Sequence, residues 1–512
     1  MSLGRTHGVA LLGLQGAIVE IEADISSGLP KFILIGLPDT ALRQAEHRVH
    51  AAAVNAGCPL PNQRLTVNLS PAALPKYGSG FDLGIAIACL AAAGTVKPES
   101  IEAVVHLGEL GLDGRLRPIV GILPSVLALV RAGYDKVMVP TGNADEASLV
   151  PSVTVIGVAS LRDAAIWHGA ELEPQEVDPL YLASVNADAP AEVTDLADVV
   201  GNEDAVDAML AAGAGGHHVF LLGPPGAGKT MLAARLPGLL PDLSPEAAVE
   251  VSSIRSLAGL PVAGSLNTRP PFENPHHTAS AASLIGGGSG IIRPGAAVRA
   301  SHGVLFLDEA PEFNVNALDA LRQPLESGVI SIHRANAVAH FPGSFQLVMA
   351  ANPCPCGQWG AKDSNCTCAP FARRRYLARV SGPLLDRIDI QLRVHRITST
   401  QLRLDQAGTR ITTAVARARV SEARATAEAR LARTPWTLNT QVPGSWLRGP
   451  QARLPIGTTA SIDRALEHGG ITMRGYDRVL RLGWTLADLD GATTPSADHI
   501  GRALYLRKAM TT

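Results

Sequence analysis

The stretch HVFLLGPPGAGKTMLAAR, residues 218 to 235, decides the fold class of the middle of this 512-residue chain. An apolar strand leads into a glycine-rich loop of the form GxxxxGK(S/T), and an amphipathic helix follows. Backbone N–H groups of such a loop close around phosphates at the positive end of the helix dipole. We expect Lys229 to neutralise the β- and γ-phosphates and Thr230 to hold Mg²⁺, which predicts ATP and Mg²⁺ as cofactors. The predicted phosphate cradle consists of Gly223, Pro224, Pro225, Gly226, Ala227 and Gly228.

Two further apolar strands are predicted downstream, and each ends in polar side chains. The run GVLFLDEA, residues 303 to 310, ends in two carboxylates, and the run QLVMAAN, residues 346 to 352, ends in an amide. Together with the glycine-rich loop, Asp308 is expected to hold Mg²⁺ and Glu309 to polarise the attacking water. Asn352 is suited to orient the same water. The three strands predict a P-loop ATPase domain.

Four of the six cysteines follow Asn352 in two Cys-x-Cys pairs. Four thiolates form a complete tetrahedral ligand set for Zn²⁺, although Cys-x-Cys is tighter than the usual Cys-x₂₋₄-Cys spacing. A closed set favours a structural zinc over a catalytic one. Reduced thiols that brace a loop, a redox switch and an iron–sulfur site stay open as alternatives. The predicted ligands are Cys354, Cys356, Cys366 and Cys368.

Composition indicates a globular cytoplasmic protein. Hydrophobic residues make up 46% of the chain, which is enough for several cores. The longest weakly polar run, residues 83 to 96, is too short to span a bilayer, and the first twenty residues lack a cleavage-site pattern. From Arg396 onward, 17 Lys and Arg face 9 Asp and Glu, and 16 of the cations are Arg. This basic end suits phosphate contacts, although a GC-rich genome would also favour arginine.

The chain divides into four predicted parts. In residues 1–172, short β-like runs alternate with alanine-rich helical stretches, which indicates an α/β or α+β domain. Residues 173–200 are acidic and contain proline, and we interpret them as a linker. Strands and helices alternate again in the nucleotide domain, residues 201–395. Residues 396–512 are predicted to be almost wholly helical.

The order of motifs from about residue 199 resembles the magnesium-chelatase-like AAA+ ATPases, and within them the ComM/YifB group. The motifs are the P-loop, LFLDE, AANPCPCG, SGPLLDRID and MRGYDR. The resemblance implies that Asn352 is the sensor-1 residue, Arg387 the arginine finger and Arg474 the sensor-2 arginine of a helical lid. A finger that serves a neighbouring subunit implies a homo-hexameric ring. A salt bridge from Arg387 to Asp386 or Asp389 is the alternative interpretation.

The first part of the chain resembles the proteolytic domain of Lon proteases, a ribosomal S5 domain 2-like fold. The resemblance rests on PKYGSGFDLGI, residues 75 to 85, and GELGLDGRLRPIVG, residues 108 to 121. Lon peptidases use a Ser–Lys dyad. The serine position falls at Asp82 and the lysine position at Leu123, so peptidase activity is not expected. We expect the domain to scaffold the ring or to bind DNA.

Two inserts are predicted in the nucleotide domain. About 70 residues separate the P-loop from the strand before Asp308, and they look like the helix-2 insert of this AAA+ clade. Within them, His276 and His277 are expected to have a structural or substrate-facing role rather than to bind metal. Residues 328–341 alternate like a hairpin. In related rings such a hairpin enters the pore, where Arg334 would contact a phosphate backbone.

The motifs and the resemblance together predict an ATP-driven ring motor that acts on single-stranded or branched DNA. The family's activity implies helicase-like branch migration during recombination or uptake of DNA. Two alternatives remain, namely a chelatase-type motor that remodels a protein partner and a regulatory scaffold ATPase. The intact set of Lys229, Asp308, Glu309, Asn352 and Arg387 argues against the scaffold.

Overall fold

The computed structural model describes residues 3–36, 39–181, 194–262, 264–288, 292–334, 337–360, 366–397 and 410–508. Within these ranges the chain forms an N-terminal mixed α/β domain, a central parallel α/β domain and a helical C-terminal part. Residues 182–193 of the predicted linker and the tip of the predicted hairpin, including the side chain of Arg334, lie outside the described residues. None of the described helices is both long and apolar enough to cross a bilayer.

The N-terminal domain is built on a seven-stranded sheet in the order β3-β4-β2-β1-β5-β8-β9. Strand β4 alternates between buried and partly exposed residues, which is the pattern of a sheet with one face on the core. Every residue of helix α3 is buried, so this helix forms the centre of the domain. The strands are β1 Gly4–Leu12, β2 Gln15–Ser26, β3 Lys31–Ile35, β4 Arg64–Ser70, β5 Val105–His106, β6 Glu109–Leu110, β7 Leu116–Arg117, β8 Lys136–Pro140 and β9 Thr154–Val158. The helices are α1 Thr40–Arg43, α2 Ala45–Asn55, α3 Asp82–Ala92, α4 Pro98–Glu102, α5 Ile122–Arg131, α6 Ala144–Ala147 and α7 Leu161–Trp167.

The central domain carries a five-stranded parallel sheet in the order β11-β14-β17-β10-β18. All residues of β10, β14 and β17 are buried, as expected for a parallel sheet that is covered on both faces. The strands are β10 Val219–Leu222, β11 Phe272–Glu273, β12 Gly286–Gly287, β13 Arg293–Pro294, β14 Val304–Leu307, β15 Val329–Arg334, β16 Ala337–Pro342, β17 Gln346–Ala351 and β18 Ile390–Arg393. The helices are α8 Glu203–Gly215, α9 Lys229–Leu239, α10 Pro245–Ala258, α11 Ala281–Ile285, α12 Ala296–Arg299, α13 Val315–Asp319, α14 Pro324–Ser327, α15 Pro370–Leu377 and α16 Gly382–Leu385.

The C-terminal part packs on the central domain through one shared core. Leu210 of α8 and Leu236 of α9 belong to the same buried cluster as Val479 and Leu482 of the C-terminal helices. A continuous core of this kind opposes independent movement of the two parts. The C-terminal helices are α17 Thr413–Leu431, α18 Gly444–Leu447, α19 Ile456–Glu467, α20 Met473–Leu489 and α21 Ala497–Lys508. Short 3₁₀ turns cover Thr141–Asn143, Leu196–Asp198, Ala310–Glu312 and Asn439–Gln441.

Residues 194–200, the end of the predicted linker, are packed against the central domain. Leu196 is buried in its core. The Arg235 guanidinium of α9 donates to the Asp195 carbonyl at 2.5 Å and to the Asp198 carboxylate at 2.7 Å. The acidic composition that suggested a linker therefore serves, at this end, to bind an arginine.

Among the described residues, the contacts between the N-terminal and central domains include one at α5 and one at the turn between β1 and β2. At the start of α5, the Gly121 N–H donates to the Ser256 carbonyl of α10 at 3.1 Å. At the turn between β1 and β2, Leu12 packs against the cluster that includes Phe341 of the β15–β16 hairpin. A Cβ added at Gly13 of this turn would lie 3.2 Å from the His340 carbonyl oxygen. The first domain therefore braces the hairpin that the sequence analysis singles out.

Candidate active site

The glycine-rich loop, β14 and β17 meet at the carboxyl edge of the parallel sheet, because all strands run in the same direction. Lys229, the first residue of α9, donates from Nζ to the carbonyls of Gly223 at 2.6 Å and Pro224 at 3.1 Å. The same Nζ lies 3.2 Å from Oδ1 of Asn352 at the end of β17. The structure thus brings the predicted phosphate-binding lysine and the predicted water-orienting amide into contact.

The loop conformation requires glycine at two positions. Gly226 and Gly228 have φ values of 75° and 88°, in the left-handed region that other residues adopt at a cost. No heavy atom lies within 4 Å of a Cβ built on either glycine. The open space beside this backbone is where a phosphate chain would sit.

Thr230 and Asp308 are paired, as two ligands of one cation would be. The Thr230 hydroxyl donates to Oδ2 of Asp308 at 2.7 Å. The other carboxylate oxygen of Asp308 accepts from the Glu309 N–H at 2.9 Å. Hydroxyl and carboxylate oxygens are ligands that Mg²⁺ uses in phosphoryl-transfer sites, so these residues fit the predicted cation.

Charged side chains surround Lys229 at the site, among them Glu309 and Asp308. Glu309 has φ +52°, a left-handed conformation that non-glycine residues rarely adopt outside functional sites. Burial lowers the pKa of Lys229, and the nearby Asp308 and Glu309 carboxylates oppose this shift. A partly desolvated ammonium beside two carboxylates is an arrangement suited to binding the anionic end of a nucleotide.

An apolar cavity of about 540 Å³ adjoins the glycine-rich loop. Its walls include Val199 and Val200 from the end of the predicted linker, Met231 of α9, and Ile397 after β18. Apolar walls next to a phosphate cradle fit a nucleobase. No sequence motif indicates this pocket, because Val199 and Val200 belong to no motif and lie 23 residues or more before the loop.

Arg396 is a second cation at the loop that the sequence analysis missed. Its Nε donates to the Pro225 carbonyl at 2.9 Å, and its charge contributes to the lowered pKa of Lys229. The signal in the sequence is positional, because Arg396 follows β18 and β18 is the neighbour of β10 in the sheet. The end of a strand beside the P-loop strand is a place where ligand contacts are expected.

The structure places the two predicted arginines away from the P-loop. Arg387 pairs with Glu326 and donates to the Pro383 carbonyl at 2.6 Å, so its partner is neither Asp386 nor Asp389. The alternative interpretation of Arg387 as a salt bridge was therefore wrong in its partners. Arg474 is 73% exposed and lies 3.7 Å from Asp386. Within the described chain neither arginine bonds to a P-loop residue, and their roles as finger and sensor 2 stay predictions.

The C-terminal helix α20 is attached to the sheet by a buried ion pair. Arg478 donates to Asp389 at 2.6 Å, and His217 lies 3.3 Å from the other oxygen of this carboxylate. Burial alone would raise the pKa of Asp389, but Arg478, His217 and His218 outweigh it and hold the pKa well below its usual range. The MRGYDR motif thus contributes its second arginine to the link between the C-terminal helices and the sheet.

The four predicted cysteine ligands converge. Sγ of Cys354 lies 3.3 Å from Sγ of Cys356 and 3.7 Å from that of Cys366, and all four Sγ atoms lie within 4.8 Å of one another. Zinc–sulfur bonds of about 2.3 Å in a tetrahedron separate the sulfurs by about 3.8 Å. The cluster also contacts the P-loop, since a Cβ added at Gly357 would lie 2.7 Å from Cγ of Pro225.

His277, one of the two adjacent histidines, lies beside the predicted catalytic carboxylate. Its Nδ1 is 3.3 Å from Oε2 of Glu309. His276 instead contacts the Thr278 hydroxyl at 2.8 Å. The expectation of a structural or substrate-facing role did not anticipate this contact, because the insert has no periodic pattern that positions it against β14.

Family models match most of the chain. A model described as magnesium chelatase, subunit ChlI, covers residues 195–402, and its C-terminal counterpart covers residues 410–507. A third, subunit ChlI of Mg-chelatase, covers residues 21–143. The chain belongs to the magnesium-chelatase-like AAA+ family. This family implies ATP and Mg²⁺ as ligands, which fits the paired Thr230 and Asp308 and the glycine cradle.

Relatives match this family member over its full length. A Mycobacterium tuberculosis protein without a described function is 48% identical over 516 residues, 99% of both chains. Competence protein ComM of Haemophilus influenzae is 39% identical over 513 residues, 99% of this chain and 98% of its own. YifB of Escherichia coli is 36% identical over 517 residues, 99% of this chain and 97% of its own. The ComM/YifB group suggested by the motifs is confirmed.

The Lon-like similarity of this family member is partial. Lon protease of Mycolicibacterium smegmatis is 29% identical over 181 residues, 33% of this chain and 23% of its own. At the aligned serine position, Asp82 is fully buried and accepts two bonds from Arg48, at 2.6 and 2.9 Å. At the lysine position, Leu123 is buried. The nearby Ser79 hydroxyl donates to Glu109 rather than to a lysine. The residues of a Ser–Lys dyad are replaced by a closed ion pair and an apolar side chain.

Proposed function

We propose that this chain is an ATP-hydrolysing AAA+ motor that assembles into a homo-hexameric ring and acts on DNA. The observation that carries the ATPase proposal is the meeting of five side chains at one sheet edge. Thr230 lies 2.7 Å from Asp308 and Lys229 lies 3.2 Å from Asn352, so these groups are already gathered where a triphosphate and its cation would exchange these bonds for their own.

The side chains divide the chemistry among them. Lys229 neutralises the β- and γ-phosphates, while Thr230 and Asp308 hold Mg²⁺, which withdraws charge from the same phosphates. Asn352 orients the attacking water. Glu309 polarises that water and accepts its proton as the bond to phosphorus forms. The apolar cavity beside Val199 holds the base and thereby fixes the position of the nucleotide relative to the glycine-rich loop.

Three features support DNA as the substrate. A relative that matches the full length of this chain is named a competence protein. The C-terminal part from Arg396 carries an excess of cations, which favours phosphate contacts. The β15–β16 hairpin is braced at its base by the N-terminal domain, which suits an element that contacts a strand in a pore. We propose single-stranded or branched DNA as the ligand and helicase-like branch migration as the activity.

The ring proposal assigns Arg387 to the neighbouring subunit's γ-phosphate. In the single chain the Arg387 guanidinium is held by Glu326, whose side chain is 59% exposed. The Arg387 side chain is itself only 10% exposed, so the proposal requires the guanidinium to leave Glu326 and turn outward when subunits assemble. Assembly would bring Arg387 to a phosphate that competes with Glu326.

We also propose that Cys354, Cys356, Cys366 and Cys368 bind one structural Zn²⁺. Support comes from sulfur separations of 3.3, 3.6 and 3.7 Å, close to those of a zinc tetrathiolate. Elemental analysis of untagged protein, prepared without chelator, should find about one zinc per chain. Zinc well below half an equivalent, with four titratable thiols, would support a metal-free loop.

One experiment tests the motor proposal. The ATPase rate of the purified full-length protein is measured alone and with single-stranded, duplex and four-way-junction DNA. Stimulation by single-stranded or branched DNA is expected. Turnover that no DNA changes would overturn the DNA part and favour a protein substrate, whereas absence of turnover would overturn the ATPase proposal itself.

A further inference from the structure

The outward side of helix α15, which follows the cysteine loop, carries aromatic and basic side chains. Phe371, Arg374 and Arg375 are all exposed, and their spacing of three and four residues places them on one face of the helix. Phe371 is 70% exposed. Residues 366–380 contain four arginines and no acidic residue. This face therefore suits a ligand that offers both negative charge and a flat apolar surface.

The inward side of α15 is anchored to the central domain. Tyr376 is buried, and Leu377 packs against the core cluster that includes Val380 and Leu384. Because these contacts fix the helix, the Phe371 ring stays in water until a ligand covers it. Covering an apolar ring of this kind contributes free energy to binding.

Arg374 and Arg375 are cations without a carboxylate partner. In the part of the chain that the structure describes, no acidic side chain pairs with either of them. Arg379, one turn further on, pairs instead with Glu312 at 3.4 Å. Unpaired guanidinium groups can bind phosphate oxygens through two hydrogen bonds each. The two exposed arginines are thus available for a phosphate backbone.

Trp359 of the cysteine loop adds a second aromatic ring beside α15. The Arg373 guanidinium lies 4.8 Å from the centroid of the Trp359 ring, and Trp359 is 37% exposed. The Trp359 N–H donates to Sγ of Cys354 at 3.4 Å. The cation–π contact and the backbone bond hold the indole at the surface. The cysteine loop and the helix together present two aromatic rings and two unpaired arginines.

We propose that Trp359, Phe371, Arg374 and Arg375, the α15 surface, bind single-stranded DNA. The arginines contact phosphates and the rings stack on bases, a combination that holds a strand without regard to its sequence. A duplex would offer the phosphates alone, because its bases are paired and stacked inside. This inference rests on DNA as the proposed ligand of the motor, and it names a place where the strand is held.

The first test measures base stacking. Binding of a labelled oligothymidylate to the full-length protein is followed by fluorescence anisotropy. Phe371→Leu, which keeps an apolar side chain but removes the ring, should raise Kd at least about fivefold, the size expected for one lost stack. Phe371→Tyr keeps the ring and should keep the wild-type Kd. An abasic strand of the same length should bind the wild-type protein more weakly by at least the same factor.

The second test measures the phosphate contacts through their salt dependence. Replacing both arginines, Arg374→Ala with Arg375→Ala, should reduce the slope of log Kd against log salt by about 1.4, because each phosphate contact of a single strand contributes about 0.7. Arg131→Ala is the matched control, since Arg131 is an exposed arginine at the end of α5 in the N-terminal domain. Its slope should equal that of the wild type.

The outcomes separate the α15 surface from the proposed function. Wild-type protein that binds the strand no better than Phe371→Leu and the double arginine variant do would overturn the surface and leave the motor intact. A changed oligomeric state of these variants in sedimentation would make the face a contact between copies of the chain, which also overturns it. If Phe371→Leu does not fold, equal affinity for abasic and intact strands overturns the stacking. Wild-type protein that binds no DNA would overturn the DNA part of the proposed function as well.

Discussion

Asp82 in the N-terminal domain and Lys229 in the central domain are each the first residue of a helix. Asp82 stands at the position matched to the Lon serine, and Lys229 belongs to the P-loop. At Asp82 the carboxylate is 0% exposed and Arg48 occupies both of its oxygens. At the P-loop, Glu309 keeps a side chain that is 47% exposed, and the glycine backbone leaves open space. The start of a helix thus carries a buried, fully paired carboxylate in one domain and an open, partly exposed site in the other.

The difference lies in how completely the polar groups are saturated. The Asp82 carboxylate is closed off from solvent and Arg48 bonds to both of its oxygens, so a substrate has no access to it and the pair serves the stability of the domain. An open carboxylate with one partly exposed partner can exchange that partner for water or a cation. The side chains that we propose for catalysis are those that keep open hydrogen-bonding positions at the edge of the parallel sheet.

Replacing the predicted finger should have the largest effect on turnover. Arg387→Ala is expected to lower kcat by about 10³-fold or more while nucleotide binding persists, because an arginine finger stabilises charge in the transition state. The assay mixes this variant with Lys229→Ala subunits. Partial recovery of turnover would show that finger and P-loop lie on different chains. No recovery at any ratio would contradict the trans assignment and leave Arg387 with its Glu326 pair.

Replacing a carboxylate with an amide at Glu309 and at Asp82 tests how the open site differs from the closed one. Glu309→Gln should lower kcat by at least about 10²-fold with unchanged ATP binding, because the amide cannot accept the water's proton. Asp82→Asn, the matched control, should lower the melting temperature and leave kcat per folded chain near wild type. Near-normal turnover in Glu309→Gln would remove this residue from the catalytic role.

A double-variant cycle at Asp82 and Arg48 tests whether their ion pair serves the stability of the domain. Asp82→Leu alone should lower the free energy of unfolding by about 3 kcal/mol, because Arg48 would lose its buried partner. Adding Arg48→Met should restore most of that loss, since two apolar side chains can fill the space. Chemical denaturation measures both variants. Equal losses in the single and double variants would show that the pair itself, rather than an arginine deprived of the Asp82 carboxylate, determines stability.

The parts of the molecule that could be predicted are those that short sequence motifs mark. Lys229, Asp308 and Asn352 were found because each ends or follows an apolar strand, and parallel strands bring such ends together. The four cysteines were found by spacing alone. The contacts of Arg387 and His277 could not be found in this way. They depend on segments that are far apart in sequence and carry no period, so only the folded chain shows which carboxylate each one meets.

The smallest expected effect concerns Arg396, which separates binding from chemistry at the open site. Its Nε contacts the Pro225 carbonyl at 2.9 Å, and its charge acts on Lys229. Arg396→Ala should raise the KM for ATP about three- to tenfold with kcat changed less than about twofold, as for a charged contact present equally in the ground and transition states. Arg396→Lys should recover part of the affinity because it keeps the charge. A fall in kcat without a change in KM would place Arg396 among the residues that act in the transition state, and the open site would then extend across β18.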